Sequence, residues 1–146
     1  MTTTAENNAP LGLLIISHHL LGEALVKCAE HILGRPVTNL KHLSVSREDD
    51  PNEVLERARE TIRELDQGRG VMLLTDIYGG TPSNIASRLI QAGRVEAIAG
   101  VSLPMLIRAL TYSHESLETA VSKAITGGWE GVIYMLPEIP AEISKH

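Results

Sequence analysis

The sequence predicts a single α/β domain built on a doubly wound, mainly parallel sheet, with helices on both faces and an antiparallel edge strand near the C-terminus. Three observations predict it. Residues 11–17 (LGLLIIS) form a short, nearly continuous apolar run, the pattern of a strand buried on both faces. Runs of this kind alternate with segments whose apolar residues recur at helical spacing, and glycine or proline marks the joints. The length of 146 residues, 43% of them hydrophobic, suits one ordinary domain, placed over 11–136 between a flexible segment (1–10) and a tail (137–146).

In chain order, the first strand at 11–17 is followed by a helix over 20–33, with Leu21, Ala24, Leu25, Cys28, Ala29 and Ile32 at helical spacing and Gly34 as its stop. A weaker strand over 38–45 precedes a charged helix over 51–65 that turns Val54, Leu55, Ala58, Ile62 and Leu65 inward. Gly68 and Gly70 separate it from a clean strand at 71–75, and the turn at Gly79 and Gly80 leads to a helix from Pro82 to about residue 92. A fourth strand is expected over 95–101, helices over 105–112 and 116–125, and a last strand over 131–136 (GVIYML).

Alternating strands and helices of these lengths fit a parallel sheet, because each crossover returns the chain to the starting edge. The flavodoxin-like order places the first and third strands side by side at the switch point, where ligands sit beyond the strands' C-terminal ends. Those two ends carry His18 and Asp76.

Composition narrows the function. Only Tyr78, Tyr112, Trp129 and Tyr134 are aromatic, so base stacking is not supported, and a net charge of -5 without a basic run offers no footprint for nucleic acid. The single cysteine, Cys28, has no partner for a disulfide and no second thiol for a metal site, which fits a reducing cytoplasm. The first ten residues lack the features of a signal peptide, and no apolar stretch approaches the length of a membrane span. Neither a metal nor a cofactor is expected.

The chemistry lies in the two switch-point loops. Ser17, His18 and His19 follow the first strand; Asp76 ends the third, just before Ile77, Tyr78, Gly79 and Gly80. A carboxylate that accepts one imidazole N–H leaves the other ring nitrogen with its lone pair, a nucleophile suited to a covalent phosphoryl intermediate. Gly79 and Gly80 permit close backbone approach, and Thr81 is placed to cap a helix whose first turn holds Pro82, so that amides face an anion. The segment lacks the Gly-Lys-Ser/Thr of a nucleotide P-loop and the spaced glycines of a dinucleotide site. An aspartate before a glycine-rich loop also serves as a turn or cap residue, and the glycine pair also serves as a tight turn. Among the six histidines, His31 suits a helix C-terminus, while His42, His114 and His146 read as partly exposed polar residues. Cys28, Met105 and Met135 read as core or near-surface packing.

The runs IISHHLLGEALVKCAEHILG, LLTDIYGGTPSNIASRLI and IAGVSLPMLIRAL together resemble the IIA component of the mannose/fructose/sorbose family of the bacterial phosphoenolpyruvate:sugar phosphotransferase system. The resemblance covers nearly all of 11–136. It implies that His18 is phosphorylated at Nε2 by the phosphocarrier protein HPr, that Asp76 is its hydrogen-bonding partner, that the protein is a homodimer, and that the phosphoryl group moves to a IIB component. Two positions depart from the family pattern: His19 stands where glycine is usual, and Ser102 where asparagine is common. His18, directly after the strand, is the residue expected to reach Asp76, with His19 pointing elsewhere. As no IIB domain follows in the sequence, the acceptor is expected to be a separate polypeptide, either a IIB component or a regulatory protein. Leu20, Leu21, Tyr78 and Met105 are the expected apolar docking rim, since transfer needs water excluded.

Other readings fit less well. A receiver domain needs an acidic pair after the first strand, where Ser17 and His18 stand. A metal site on His18, His19 and Asp76 lacks a further ligand. The phosphotransfer subunit of dihydroxyacetone kinase has a similar Ser-His loop but not the Asp-x-x-Gly-Gly-Thr-Pro arrangement of Asp76 to Pro82.

Overall fold

Four parallel strands, ordered β2-β1-β3-β4, organise the molecule. They are β1 (Gly12–His18), β2 (Leu40–Val45), β3 (Val71–Thr75) and β4 (Val95–Ala99), joined by helices α1 (Leu21–Leu33), α2 (Pro51–Leu65) and α3 (Thr81–Ser87) and followed by α4 (Leu103–Thr111) and α5 (Leu117–Glu130). The structure is a computed structural model and describes residues 7–138. The expected tail from residue 139 onward, His146 and the first six residues of the expected N-terminal segment lie outside the described residues.

The unbroken apolar runs of β1 and β3 have a direct cause: both faces of these central strands are covered. Leu13, Ile15, Met72 and Leu74 face α1, α4 and α5, whereas Leu14, Ile16, Val71 and Leu73 face α2 and α3. Strand side chains alternate between faces, so two cores are threaded through one sheet. α2 starts where the sequence marks it: the Asp50 side chain accepts from the Asn52 N–H, and Pro51 occupies the first turn. Ser102 caps α4 by accepting from the Met105 N–H, a role serine and asparagine share, so this departure from the family pattern leaves the helix start intact.

Several elements differ from the expectation. α3 ends at Ser87 rather than near residue 92, because Gln91 turns to exchange backbone hydrogen bonds with Val95 instead of continuing the helical ladder. α5 runs past Ile125 to Glu130, through Gly127 and Gly128. A Cβ on Gly127 would lie 2.6 Å from Arg108 Cβ, so the absent side chain lets α5 press against α4. The antiparallel edge strand expected over 131–136 is not formed. A strand requires a ladder partner, and this segment has none among the described residues; its Val132, Ile133, Tyr134, Met135 and Leu136 side chains are exposed. From Asn7 onward the N-terminal segment is tied to the body, with Arg69 donating to the carbonyls of Asn7 and Ala9.

Candidate functional site

β1 and β3 are hydrogen-bonded neighbours with Ile16 opposite Thr75, so the chain leaves the sheet at both C-terminal ends side by side. His18 Nδ1 lies 2.9 Å from Asp76 Oδ2, and the same oxygen accepts the His18 backbone N–H at 3.0 Å. The other oxygen, Oδ1, accepts the Ile77 N–H at 3.0 Å. One carboxylate therefore fixes the backbone and the ring of the same histidine. Burial pushes the Asp76 carboxyl up, but the His18 backbone N–H, the His18 ring and its own backbone outweigh this and hold it below the ordinary value of 3.8. An ionised carboxylate only accepts hydrogen bonds, so in the neutral imidazole the proton belongs on Nδ1 and the lone pair on Nε2. The His18 side chain is 50% exposed and that of Asp76 12%, so the ring is half open to solvent while the carboxylate that holds it is largely covered.

The loop after Asp76 is shaped around this ring. Gly79 adopts φ +96°, a left-handed conformation that favours glycine. Gly80 matters for space: a Cβ there would fall 2.9 Å from His18 Cε1 and 3.2 Å from Nε2. Thr81 does not cap α3 as expected. It is the first residue inside the helix, Gly80 occupies the cap position, and no side chain supplies a capping bond. The His19 N–H donates to the Val45 carbonyl at 3.0 Å. The His19 φ of +50° explains why glycine suits this position.

Of the expected docking residues, Leu20, Leu21 and Tyr78 are exposed, Tyr78 by 84%. Met105 is not part of that rim. It is 6% exposed and packs in the core beside Gly128, because Met105, Leu106, Ala109 and Leu110 all fall on the buried face of α4. Ile77, exposed between Asp76 and Tyr78, joins the rim; its apolar character at a loop apex was the available signal. Cys28 is exposed on α1. Among the described residues no group of three or more His, Cys, Asp or Glu side chains is arranged to hold a metal ion, and no helix is long and apolar enough to cross a membrane.

Comparison with known proteins bears on this arrangement. The family model described as the PTS system fructose IIA component matches residues 12–125. The mannose-specific EIIAB component of Escherichia coli K12 is 32% identical over 125 residues, which cover 84% of this chain and 38% of that protein. The fructose-specific EIIA component of Bacillus subtilis is 35% identical over 57 residues, 38% of this chain and 39% of that protein. The chain thus spans well under half the length of these curated relatives. Among solved structures, the mannose/sorbose specific IIA subunit from Enterococcus faecalis superposes with a TM-score of 0.78 at 22% identity, covering 90% of this chain and all of that one. The EIIA component from Streptococcus agalactiae gives 0.75 at 24%, covering 85% and 96%. These structural likenesses establish the shared α/β fold, and the match over 12–125 together with the Escherichia coli relative establishes more: the chain belongs to the mannose/fructose IIA family of the phosphotransferase system.

Proposed function

We propose that this chain is a phosphoryl carrier that takes a phosphoryl group from phospho-HPr on Nε2 of His18 and passes it to a IIB component. The contact between His18 Nδ1 and Asp76 Oδ2 carries this reading, since it commits one ring nitrogen to a carboxylate and frees the other as nucleophile. In the transfer the Nε2 lone pair attacks phosphorus, the bond from phosphorus to the donor's histidine breaks, and the donor imidazole leaves with that electron pair. Nδ1 keeps its proton throughout, and the Asp76 carboxylate offsets the positive charge the ring acquires. Gly79, Gly80 and Thr81 receive the phosphoryl oxygens in this reading, supported by the close approach of the Gly80 backbone to Nε2, which a side chain there would block. Transfer to the acceptor runs the same steps outward.

Leu20, Leu21, Ile77 and Tyr78, exposed just after His18 and Asp76 in the chain, offer an apolar rim against which a donor excludes water, and the chain's net charge of -5 favours a basic carrier. The cytoplasm is the compartment this exchange requires. A homodimer completes the proposal. The outer edge of β4 has no strand beside it among the described residues, and cavities open on both faces there. Ile98, Met105, Ile125 and Val132 line one, and Thr75, Ile90 and Ala97 the other. The exposed apolar segment 131–136 of a second copy fits that edge. Sedimentation at micromolar concentration should give twice the chain mass, and a monomer would count against the dimer.

The chemistry is tested by incubation with HPr, its phosphoenolpyruvate-dependent kinase and labelled phosphoenolpyruvate. Acid-labile label is expected on the wild type and on His19→Ala, and none on His18→Ala. Label retained by His18→Ala and lost from His19→Ala would move the site to the second histidine.

A further inference from the structure

Ser17 is fully buried, and a buried hydroxyl is stable only where it finds partners. Its Oγ accepts the Gly22 N–H at 2.8 Å and stands 3.4 Å from the His18 carbonyl, toward which its own hydrogen points. Gly22 lies in the first turn of α1, where backbone N–H groups have no partner within the helix. Leu20, at the cap position, supplies no side-chain bond. Ser17 thus does from the end of β1 what a cap residue does from the helix start, and its bond spans the loop holding His18 and His19. The contact is tight, because a Cβ on Gly22 would lie 3.1 Å from Ser17 Oγ and 3.1 Å from His42 Cβ.

We infer that Ser17 is a positioning residue for phosphoryl transfer at His18, an inference that rests on the reading of His18 as the acceptor. Asp76 holds the ring through Nδ1 and the backbone through the His18 N–H, and the Val45 carbonyl holds the His19 N–H, so these three bonds tie the loop to its neighbouring strands. The Ser17 bond ties the end of β1 directly to the first turn of α1, beside the bond from the Ala24 N–H to the Leu20 carbonyl. It acts against the left-handed backbone of His19, which a side-chain-bearing residue tends to leave. With the bond in place, the His18 Cα from which the ring projects stays fixed relative to both sheet and helix, and Nε2 keeps its line of approach to phosphorus. Without it the backbone beneath the ring shifts, the contact between Nδ1 and Asp76 loosens, and misplacement of a nucleophile by a fraction of an ångström slows transfer.

The test compares Ser17→Ala and Ser17→Thr with the wild type, using phospho-HPr as donor in single-turnover measurements. Ser17→Ala should lower the maximal transfer rate at saturating donor by about tenfold, the loss of one hydrogen bond felt at the reacting nitrogen, with the half-saturating donor concentration little changed. Nitrogen-15 NMR of the His18 ring should show the Nδ1–H tautomer giving way to a mixture of the two. Ser17→Thr restores the hydroxyl and should restore both readouts. A purely structural role would lower the melting temperature while leaving the rate per folded molecule and the ring tautomer unchanged, and that result overturns the inference. So does a threonine variant no faster than the alanine one. Should Ser17→Ala fail to fold, Ser17→Cys, whose sulfur accepts only weakly, is judged by the same two readouts. Wild-type protein that takes no label, or label persisting in His18→Ala, would instead defeat the reading of His18 itself. Normal His18 labelling with a wild-type rate in Ser17→Ala defeats only the role of Ser17.

Discussion

The two ends of the sheet solve opposite problems with the same kind of group. At the N-terminal end, Arg69 precedes β3 and donates to four carbonyls, those of Asn7 and Ala9 at 3.0 and 3.3 Å and of His114 and Glu115 at 3.2 and 3.0 Å. The segment before β1 and the turn between α4 and α5 are closed onto one guanidinium. At the C-terminal end, Asp76 binds two N–H groups and one ring nitrogen but leaves Nε2 of His18 free beside a glycine. Saturation of donors makes a joint; leaving one ring nitrogen without a partner makes it available for the proposed chemistry. Substitutions at the two ends should therefore separate stability from chemistry.

The largest effect should come from Gly80→Ala. The added carbon would sit 3.2 Å from Nε2 and 2.9 Å from Cε1, so the ring must turn or the loop must retreat, and either change misaligns the nucleophile. Phosphorylation by phospho-HPr should slow about a hundredfold. Because Gly80 has φ -91°, which any residue adopts, the melting temperature should change little. Unimpaired labelling would mean that the reacting edge of the ring faces away from Gly80.

Arg69→Ala should do the reverse. Loss of charge-assisted bonds to backbone carbonyls should cost about 2 kcal/mol of stability, or roughly 5 °C in melting temperature for a domain of this size, with the labelling rate per folded molecule unchanged. A variant that melts like the wild type yet labels slowly would show that the two ends of the sheet are coupled.

The contrast also marks what the sequence made legible. His18 and Asp76 could be paired before any coordinates because strand order alone brings their loops together, and topology follows from alternating strands and helices. α2 was bounded by local chemistry, with Pro51 at one end and Gly68 and Gly70 beyond the other, while the cap that Asp50 supplies went unread. Arg69 was invisible because its partners are backbone carbonyls, which every residue has. α5 was cut short in the reading because Gly127 and Gly128 look like breakers, when close packing on Arg108 and Met105 keeps them helical. Met105 was read both as packing and as rim, and the spacing of Met105, Leu106, Ala109 and Leu110, which gives it an inward face, bears out the first. The apolar run over 131–136 was read as an edge strand, added to the sheet of its own chain or of a partner chain, yet a ladder needs a partner that sequence does not locate. Ser17 was seen only as a neighbour of His18, since the end of an apolar run says little about which amide its hydroxyl will meet.

The smallest effect concerns acid. The folded-state pKa of Asp76 lies below the ordinary 3.8, so its interactions stabilise the folded protein in full above that value and are lost as pH falls through the lower, folded-state pKa. Asp66 is held low in the same direction: burial raises it, but the Gly68 and Gly70 N–H groups and Arg94 prevail, so acid destabilises the wild type through more than one carboxyl. Asp76→Asn isolates one of them. The variant should be less stable than the wild type at neutral pH, because an amide is a weaker acceptor for the His18 backbone and ring, and the gap should narrow as pH drops below 3.8. Urea unfolding at neutral pH and at several values below 4 measures that gap. A difference that stayed constant through the acid range would mean that Asp76 titrates alike in the folded and unfolded chain, and that its carboxylate holds His18 by shape rather than by charge.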